Sequence, residues 1–129
     1  MTDKTEKRPS ICIDLKKSRI RIHKETLRML QNPDYIEILV NPKKKSFVIK
    51  TSSYRKNAHR VEMDRLTTDK HCYELYSREF MTEIQTVSKT LEHSKSYRIT
   101  GTLNREKDAA CFFLEQAVLI APGKEGTYA

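Results

Sequence analysis

Apolar and polar positions alternate along much of this chain, and the alternation predicts strands before anything else. Ile11, Ile13 and Leu15 share one phase. The phase flips across Lys16, Lys17 and Ser18, after which Ile20 and Ile22 take one face and Lys17, Arg19 and Arg21 the other. A straight strand cannot change faces, so a turn or bulge is required there. Residues 23–30 predict a short helix with Leu27 and Leu30 inward, ended by Asn32, Pro33 and Asp34. Residues 35–40 read as a strand with Ile36, Ile38 and Val40 on one face, while Leu39 makes the other face partly apolar. A hairpin loop over 41–46 leads to a return strand over 47–50. Residues 52–58 form a polar, basic connection, 60–66 predict a further strand, and 66–70 link to the second half.

That half predicts the same order. Residues 71–76 alternate as a strand, and Ser77 can cap the helix that follows, with Glu79 in its first turn. Phe80, Ile84, Val87 and Leu91 recur at helical spacing. Residues 97–103 and 110–115 flank a second hairpin loop, and Gly101 inside the first of them predicts a bulge. Residues 117–121 predict a last strand. Strand, short helix and three strands thus read twice, over 19–66 and 71–121.

The expectation is an α+β domain built from a duplicated β-α-β-β-β unit, closing one mostly antiparallel sheet with both helices on one face. The domain spans 11–121, with pseudo-repeats over 11–66 and 71–121 and disordered tails over 1–10 and 122–129. Its expected core comprises Ile20, Ile22, Leu27, Leu30, Ile36, Ile38, Val40, Phe47, Ile49, Leu75, Phe80, Ile84, Val87, Leu91, Ile99, Phe112, Leu114 and Leu119.

Charge adds an asymmetry to this plan. The chain has 129 residues and a net charge of +8. Residues 1–60 hold 16 Lys and Arg against 6 Asp and Glu, while residues 61–129 hold 9 against 11. Three basic groups stand out: Lys17, Arg19 and Arg21 with Lys24 and Arg28; Lys43, Lys44 and Lys45 on a hairpin tip; and Arg55, Lys56 and Arg60. Cations that converge on one surface release counterions from phosphates. Cations that scatter are solvated edges, and lysines on hairpin tips often just block edge pairing.

Chemistry beyond charge is sparse. Cys12, Cys72 and Cys111 are odd in number and far apart, which fits buried free thiols in a reducing cytoplasm. His71 and Cys72 are the only close His–Cys pair, and neighbours in a strand point to opposite faces, so no metal site is expected. The three glycines, Gly101, Gly123 and Gly126, form no phosphate-cradling loop. No apolar run reaches membrane-spanning length, and the polar first ten residues do not read as a signal peptide. The tyrosines are spread along the chain rather than set as a stacking platform. No enzyme, cofactor, membrane partner or small-molecule substrate is expected.

Two families share part of this pattern. Residues 11–14, the run from Arg19 to Arg28 with its Lys-Glu-x-Leu-Arg order, and the strands over 36–40 and 46–50 resemble the swapped-hairpin DNA-binding regulators of the AbrB type. Ser18 stands where that family has a turn glycine, and His23 where it has a proline. The resemblance covers about a third of the chain. It implies dimerisation, DNA contact through Lys17, Arg19 and Arg21, and an alternative fold: an AbrB-like N-terminal part followed by an α+β C-terminal part. The element order of the whole chain is similar to one domain of a DNA sliding clamp, whose helices line the DNA. Here Lys24 and Arg28 make the first helix basic, but Glu79, Glu83 and Glu92 make the second acidic. The chain also resembles short proteins of Gram-positive bacterial genomes.

The leading functional expectation is non-enzymatic DNA binding through the basic N-terminal half, clamp-like or regulatory. The sites are Lys17, Arg19, Arg21, Lys24, Arg28, Lys43, Lys44, Lys45, Arg55, Lys56 and Arg60. The alternative is a protein-interaction or homo-oligomeric module that uses exposed sheet edges.

Overall fold

A computed structural model describes residues 8–53, 58–62 and 72–120. Strand β1 (Ser10–Asp14) and β2 (Arg19–His23) form a hairpin, followed by helix α1 (Lys24–Met29), the hairpin of β3 (Tyr35–Asn41) and β4 (Ser46–Ser52), and the short β5 (His59–Arg60). The second half supplies β6 (Cys72–Tyr76), α2 (Arg78–Val87), β7 (Ser96–Thr100), β8 (Thr102–Asn104), β9 (Ala109–Phe113), a 3-10 turn (Leu114–Gln116) and β10 (Val118–Leu119). The strands form two antiparallel sheets, ordered β10-β7-β1-β2-β6 and β5-β3-β4-β9-β8. The fold is α+β.

The phase flip read near Ser18 is a turn. Ser18 adopts a left-handed φ of 53°, which brings Ile13 opposite Ile20 and Ile11 opposite Ile22. All four isoleucines are fully buried, each stabilising the fold by about 1.5–3 kcal/mol relative to exposure. Helix α1 ends as Gln31 and Asn32 turn left-handed. The Asn32 N–H then donates to the Leu27 carbonyl at 3.0 Å, closing the last turn. Helix α2 begins where Ser77 Oγ accepts the Phe80 N–H at 3.1 Å. Its buried Phe80 meets Phe47 edge-on at 5.2 Å, and Phe47 stacks on Phe112 at 5.2 Å, which ties the helix to the second sheet.

The two sheets join on one side and part on the other. On the joined side, one run of chain passes from β7 into β8, leaving the first sheet for the second at Gly101. A Cβ at Gly101 would lie 2.7 Å from Phe112 Cδ1 and press on the Cys111 carbonyl oxygen, so only glycine fits. On the parted side, among the described residues, the first sheet ends at β6, and the second ends at β5, which pairs with Tyr35 and Ile36 of β3.

Several hydrogen bonds recur in matched positions of the two halves. The Leu15 N–H donates to the Lys95 carbonyl at 3.1 Å, and the Val61 N–H to the Asp34 carbonyl at 2.9 Å. Leu114 N–H reaches the Lys45 carbonyl at 2.9 Å, and Thr51 N–H the Asp108 carbonyl at 3.0 Å. Each of these hairpin tips opens on an asparagine whose Oδ1 accepts a backbone N–H at 3.3 Å, Asn41 from Lys44 and Asn104 from Lys107. Each closes on a left-handed residue, Lys45 at φ 50° and Asp108 at φ 47°.

Five expectations are corrected. One continuous sheet with both helices on one face is replaced by two sheets with a shared core. A six-residue α1 cannot cover an apolar face that wide, so the sheets cover each other. Because β2 and β6 are antiparallel neighbours and each runs into its own helix, the helices lie at opposite ends of the first sheet. Gly101 marks a change of sheet rather than a bulge within one strand. The strand expected over 110–115 ends at Phe113, and the one over 117–121 contracts to Val118–Leu119, where Leu119 is 49% exposed and Ile120 is buried instead. The N-terminal tail is shorter than expected: Ser10 belongs to β1, and Arg8 Nε donates to the Gly101 carbonyl at 2.9 Å. The strand expected over 60–66 appears as His59–Arg60, and its end, with the link over 66–70 and the tail over 122–129, lies outside the described residues.

Candidate functional site

The described basic residues among those singled out from the sequence do not gather on one surface. The outer face of the first sheet sets Arg98, Cys12, Arg21 and Glu74 in one row, and Ser96, Asp14, Arg19 and Tyr76 in the next. Arg19 bonds Asp14 at 3.0 Å and approaches Glu74 at 3.6 Å, and Arg21 bonds Glu74 at 3.1 Å. The Arg19 side chain is only 15% exposed. Burial opposes its charge, but the Tyr76 hydrogen bond and the Glu74 and Asp14 carboxylates outweigh burial and raise its pKa. Arg19 and Arg21 are therefore cross-strand ion-pair partners of Asp14 and Glu74.

The remaining candidates are dispersed. Lys17 is exposed in the first turn. Lys24 opens α1, and Arg28 on the same helix bonds Glu25 at 3.2 Å. Lys43, Lys44 and Lys45 are all exposed on the tip between β3 and β4. Arg60 lies opposite Tyr35, at the far end of β3 from that tip, roughly 20 Å away along a seven-residue strand. Arg55 and Lys56 lie outside the described residues.

The thiols and the half-buried imidazole are also structural in character. Burial pushes the pKa of Cys12, Cys72 and Cys111 up, which keeps them protonated and poorly nucleophilic. Burial, with the charges of Arg98 and Arg21, pushes His23 down, so its neutral ring donates Nδ1–H to the Ser10 carbonyl at 3.0 Å. A pit of about 30 Å³ lined by Cys12, Asp14, Arg19, Arg21, Ser96 and Ile120 is the size of bound solvent rather than of a substrate. Among the described residues no three His, Cys, Asp or Glu side chains group to hold a metal ion, and no helix is long and apolar enough to cross a membrane.

A larger concave feature lies on the parted side. A groove of about 610 Å³ runs between β3 and α2, lined by Ile38, Leu39, Ala58, His59, Leu75, Ser77, Glu79, Phe80 and Glu83. Strand alternation counted from the Val61-to-Asp34 bond points the N–H and C=O groups of Ile38 and Val40 toward it. Among the described residues, β3 has no strand partner on that side from Glu37 to Asn41. Glu79 and Glu83, one turn apart and exposed, stand on its helical rim. The basic groups drew attention away from this site. The signal for it was Leu39, an apolar residue on the polar phase of β3, left 50% exposed beside the groove.

Comparison with known proteins finds no match to the chain among family models, curated proteins or solved structures. The likenesses to AbrB-type regulators and to a sliding-clamp domain rest on the residues quoted for them.

Proposed function

We propose that this chain is a non-enzymatic binding module that engages another protein at the parted side of its two sheets, taking an extended segment as an added strand along β3. The observation that carries this reading is that, among the described residues, Glu37–Asn41 has no strand partner on one side, beside a groove lined in part by Ile38, Leu39, Leu75 and Phe80. A row of unpaired backbone groups is a ready template for another strand. Natural peptide-binding sites use such an edge for affinity and flanking pockets for specificity.

We also propose that the two halves are a true duplication. The matched bonds support it, and so do the registers: β2 pairs with β6 about Arg21 and Glu74, and β4 with β9 about Val48 and Cys111, as a pseudo-twofold axis requires. The duplicated unit then runs β-β-α-β-β, with β1 and β5 as matching first strands. A clamp-like role gains no support from helices at opposite ends of a sheet.

Selection from a random peptide library against the folded protein tests the interaction reading. Selected peptides should slow amide exchange at Ile38 and Val40. Binders that protect other amides, or no binders at all, would refute it.

DNA binding remains a second reading, and the exposed Lys43–Lys45 tip favours it. Fluorescence anisotropy with duplex and single-stranded DNA should then show a salt slope that falls when the three lysines become glutamine and stays unchanged on Arg19→Ala or Arg21→Ala. The opposite pattern would return the role to the arginines.

A further inference from the structure

The two hairpin tips of the second sheet share a geometry and differ in what they display. The tip between β3 and β4 is closed by the Lys45 N–H, which donates to the Pro42 carbonyl at 3.3 Å, and the Leu114 N–H holds it to the end of β9 through the Lys45 carbonyl at 2.9 Å. The tip between β8 and β9 is closed by the Lys107 N–H on the Asn104 carbonyl at 3.3 Å, and the Thr51 N–H holds it to the end of β4 through the Asp108 carbonyl at 3.0 Å. The registers match as well: Ser46 stands opposite Phe113 in the first corner, and Ala109 opposite Lys50 in the second. The second tip carries Arg105, Glu106, Lys107 and Asp108, whose charges cancel. The first carries Lys43, Lys44 and Lys45 and no acidic residue, and the side chain across from it is Phe113, 37% exposed. A neutral tip satisfies the same frame, so the fold requires neither the three lysines nor an exposed phenylalanine beside them.

The lysines and the ring share one surface. Val48, Cys111 and Phe113 face outward from the second sheet, because Phe47, Ile49 and Phe112 beside them are fully buried on the inner face. Lys44 reaches over this outer face: burial raises the Cys111 pKa, and Lys44 is close enough to offset part of the rise. Lys43, Lys44 and Lys45 are exposed and have no ion-pair partner among the described residues. The neighbours of this corner along the chain and across the ladder are all described residues.

We infer that this corner takes a single-stranded nucleic acid, with phosphates on Lys43–Lys45 and a base against the Phe113 ring. The inference rests on the nucleic-acid reading of the lysine tip above, and adds the type of strand and the residue that tells it from a duplex. Charge selects the class of partner: three clustered cations on a protein of net charge +8 repel a second copy and attract a polyanion. The ring selects within that class. A single strand offers an unpaired base beside each phosphate, and stacking of a base on an exposed aromatic side chain tolerates any sequence. A duplex keeps its base faces inside the stack, so it can use the lysines but not the ring.

Fluorescence anisotropy on the whole chain tests this, with labelled oligothymidylate, a duplex of the same length and polyglutamate as probes. Phe113→Ala should weaken the single strand about tenfold and leave the duplex and both salt slopes unchanged. Phe113→Trp should restore single-strand binding. Lys43→Gln, Lys44→Gln and Lys45→Gln together should lower the single-strand salt slope by about two, whereas Arg105→Gln with Lys107→Gln should leave it alone. No loss in Phe113→Ala, or an equal loss for single strand and duplex, would overturn the stacking role and leave the lysine tip as a phosphate contact. Polyglutamate bound as tightly as the single strand, with the same dependence on Phe113, would overturn the inference in favour of an acidic protein partner. No binding of either nucleic acid at low salt would refute the nucleic-acid reading and this inference together.

Discussion

Two seams of the molecule share similar backbone hydrogen bonds but differ in how far they are paired among the described residues. In the seam between β2 and β7, β1 pairs on both sides and buries Ile11 and Ile13 completely. In the seam between β6 and β3, the described residues of β5 pair with Tyr35 and Ile36 on one side, and a groove lies beside them. The backbone geometry that sets each seam is alike, down to the hydrogen bond that anchors it. At the step described in both seams, Ile13 stands in one and His59 in the other. Burial of apolar surface is the main force holding a strand in place, so a half-buried His59 holds its strand less firmly than a fully buried Ile13.

Matched substitutions give the largest test of this contrast. Ile99 lines the filled seam and is fully buried, while Ile38, in the corresponding place beside the groove, is partly buried. Ile99→Ala should cost about 4 kcal/mol by urea unfolding, and Ile38→Ala about 1–2 kcal/mol, because less apolar surface is lost. Equal costs would mean the seams are energetically alike. Gly101→Ala comes next, at about 3 kcal/mol, because the added methyl meets the Phe112 ring and the Cys111 carbonyl where the chain changes sheets. A neutral result would mean the joined side is as yielding as the parted one.

Acid should act on the filled seam. His23 pairs in the β2 ladder opposite Cys72 and holds the Ser10 carbonyl, with Arg21 and Arg98 nearby. Its pKa is lower in the folded protein than its ordinary value of about 6.5, so the unfolded chain binds the extra proton first. Stability is therefore fully present above that ordinary value and is lost as pH falls toward the folded-state value. The unfolding midpoint should drop between pH about 7.5 and about 5.5 and should drop less in His23→Gln, which cannot titrate. An identical drop in both would assign the effect to other groups.

How much of this was legible depended on whether the deciding contact was local. The turn at Ser18, the hairpin tips at Asn41 and Asn104, and the Ser77 cap could be read because a few adjacent residues set them. The division into two sheets could not, because it depends on packing between segments far apart in the chain, such as Phe47 of β4 edge-on to Phe80 of α2. Charge misled for a related reason. Arg19 and Arg21 look like a comb of free cations along one strand, but the register that brings Glu74 beside them belongs to β6, 53 residues further on in the case of Arg21. The groove stayed hidden because its walls come from β3, β5, β6 and α2, and no single stretch carries its signature.

The finest test tries to make one seam into the other. His59 stands opposite Ile36, in step with Ile13 of β1, and it lines the groove. If polar residues keep the second seam open, His59→Ile should start to close it. The new side chain would add apolar contact with the floor near Phe80, and the β-branched residue suits an extended backbone. Because the position is only half-buried, the gain should be small, about 1 kcal/mol in unfolding free energy. The same change should slow amide exchange at Ile38 as β5 is held more firmly against β3, and it should weaken any peptide that relies on the groove. A gain in stability without a loss of peptide affinity would separate closure from access, and it would place the binding surface further along β3, toward Val40 and the lysine tip. A loss of stability would show that the imidazole serves the fold, and that Ile13 and His59 share a position in the frame without sharing a role.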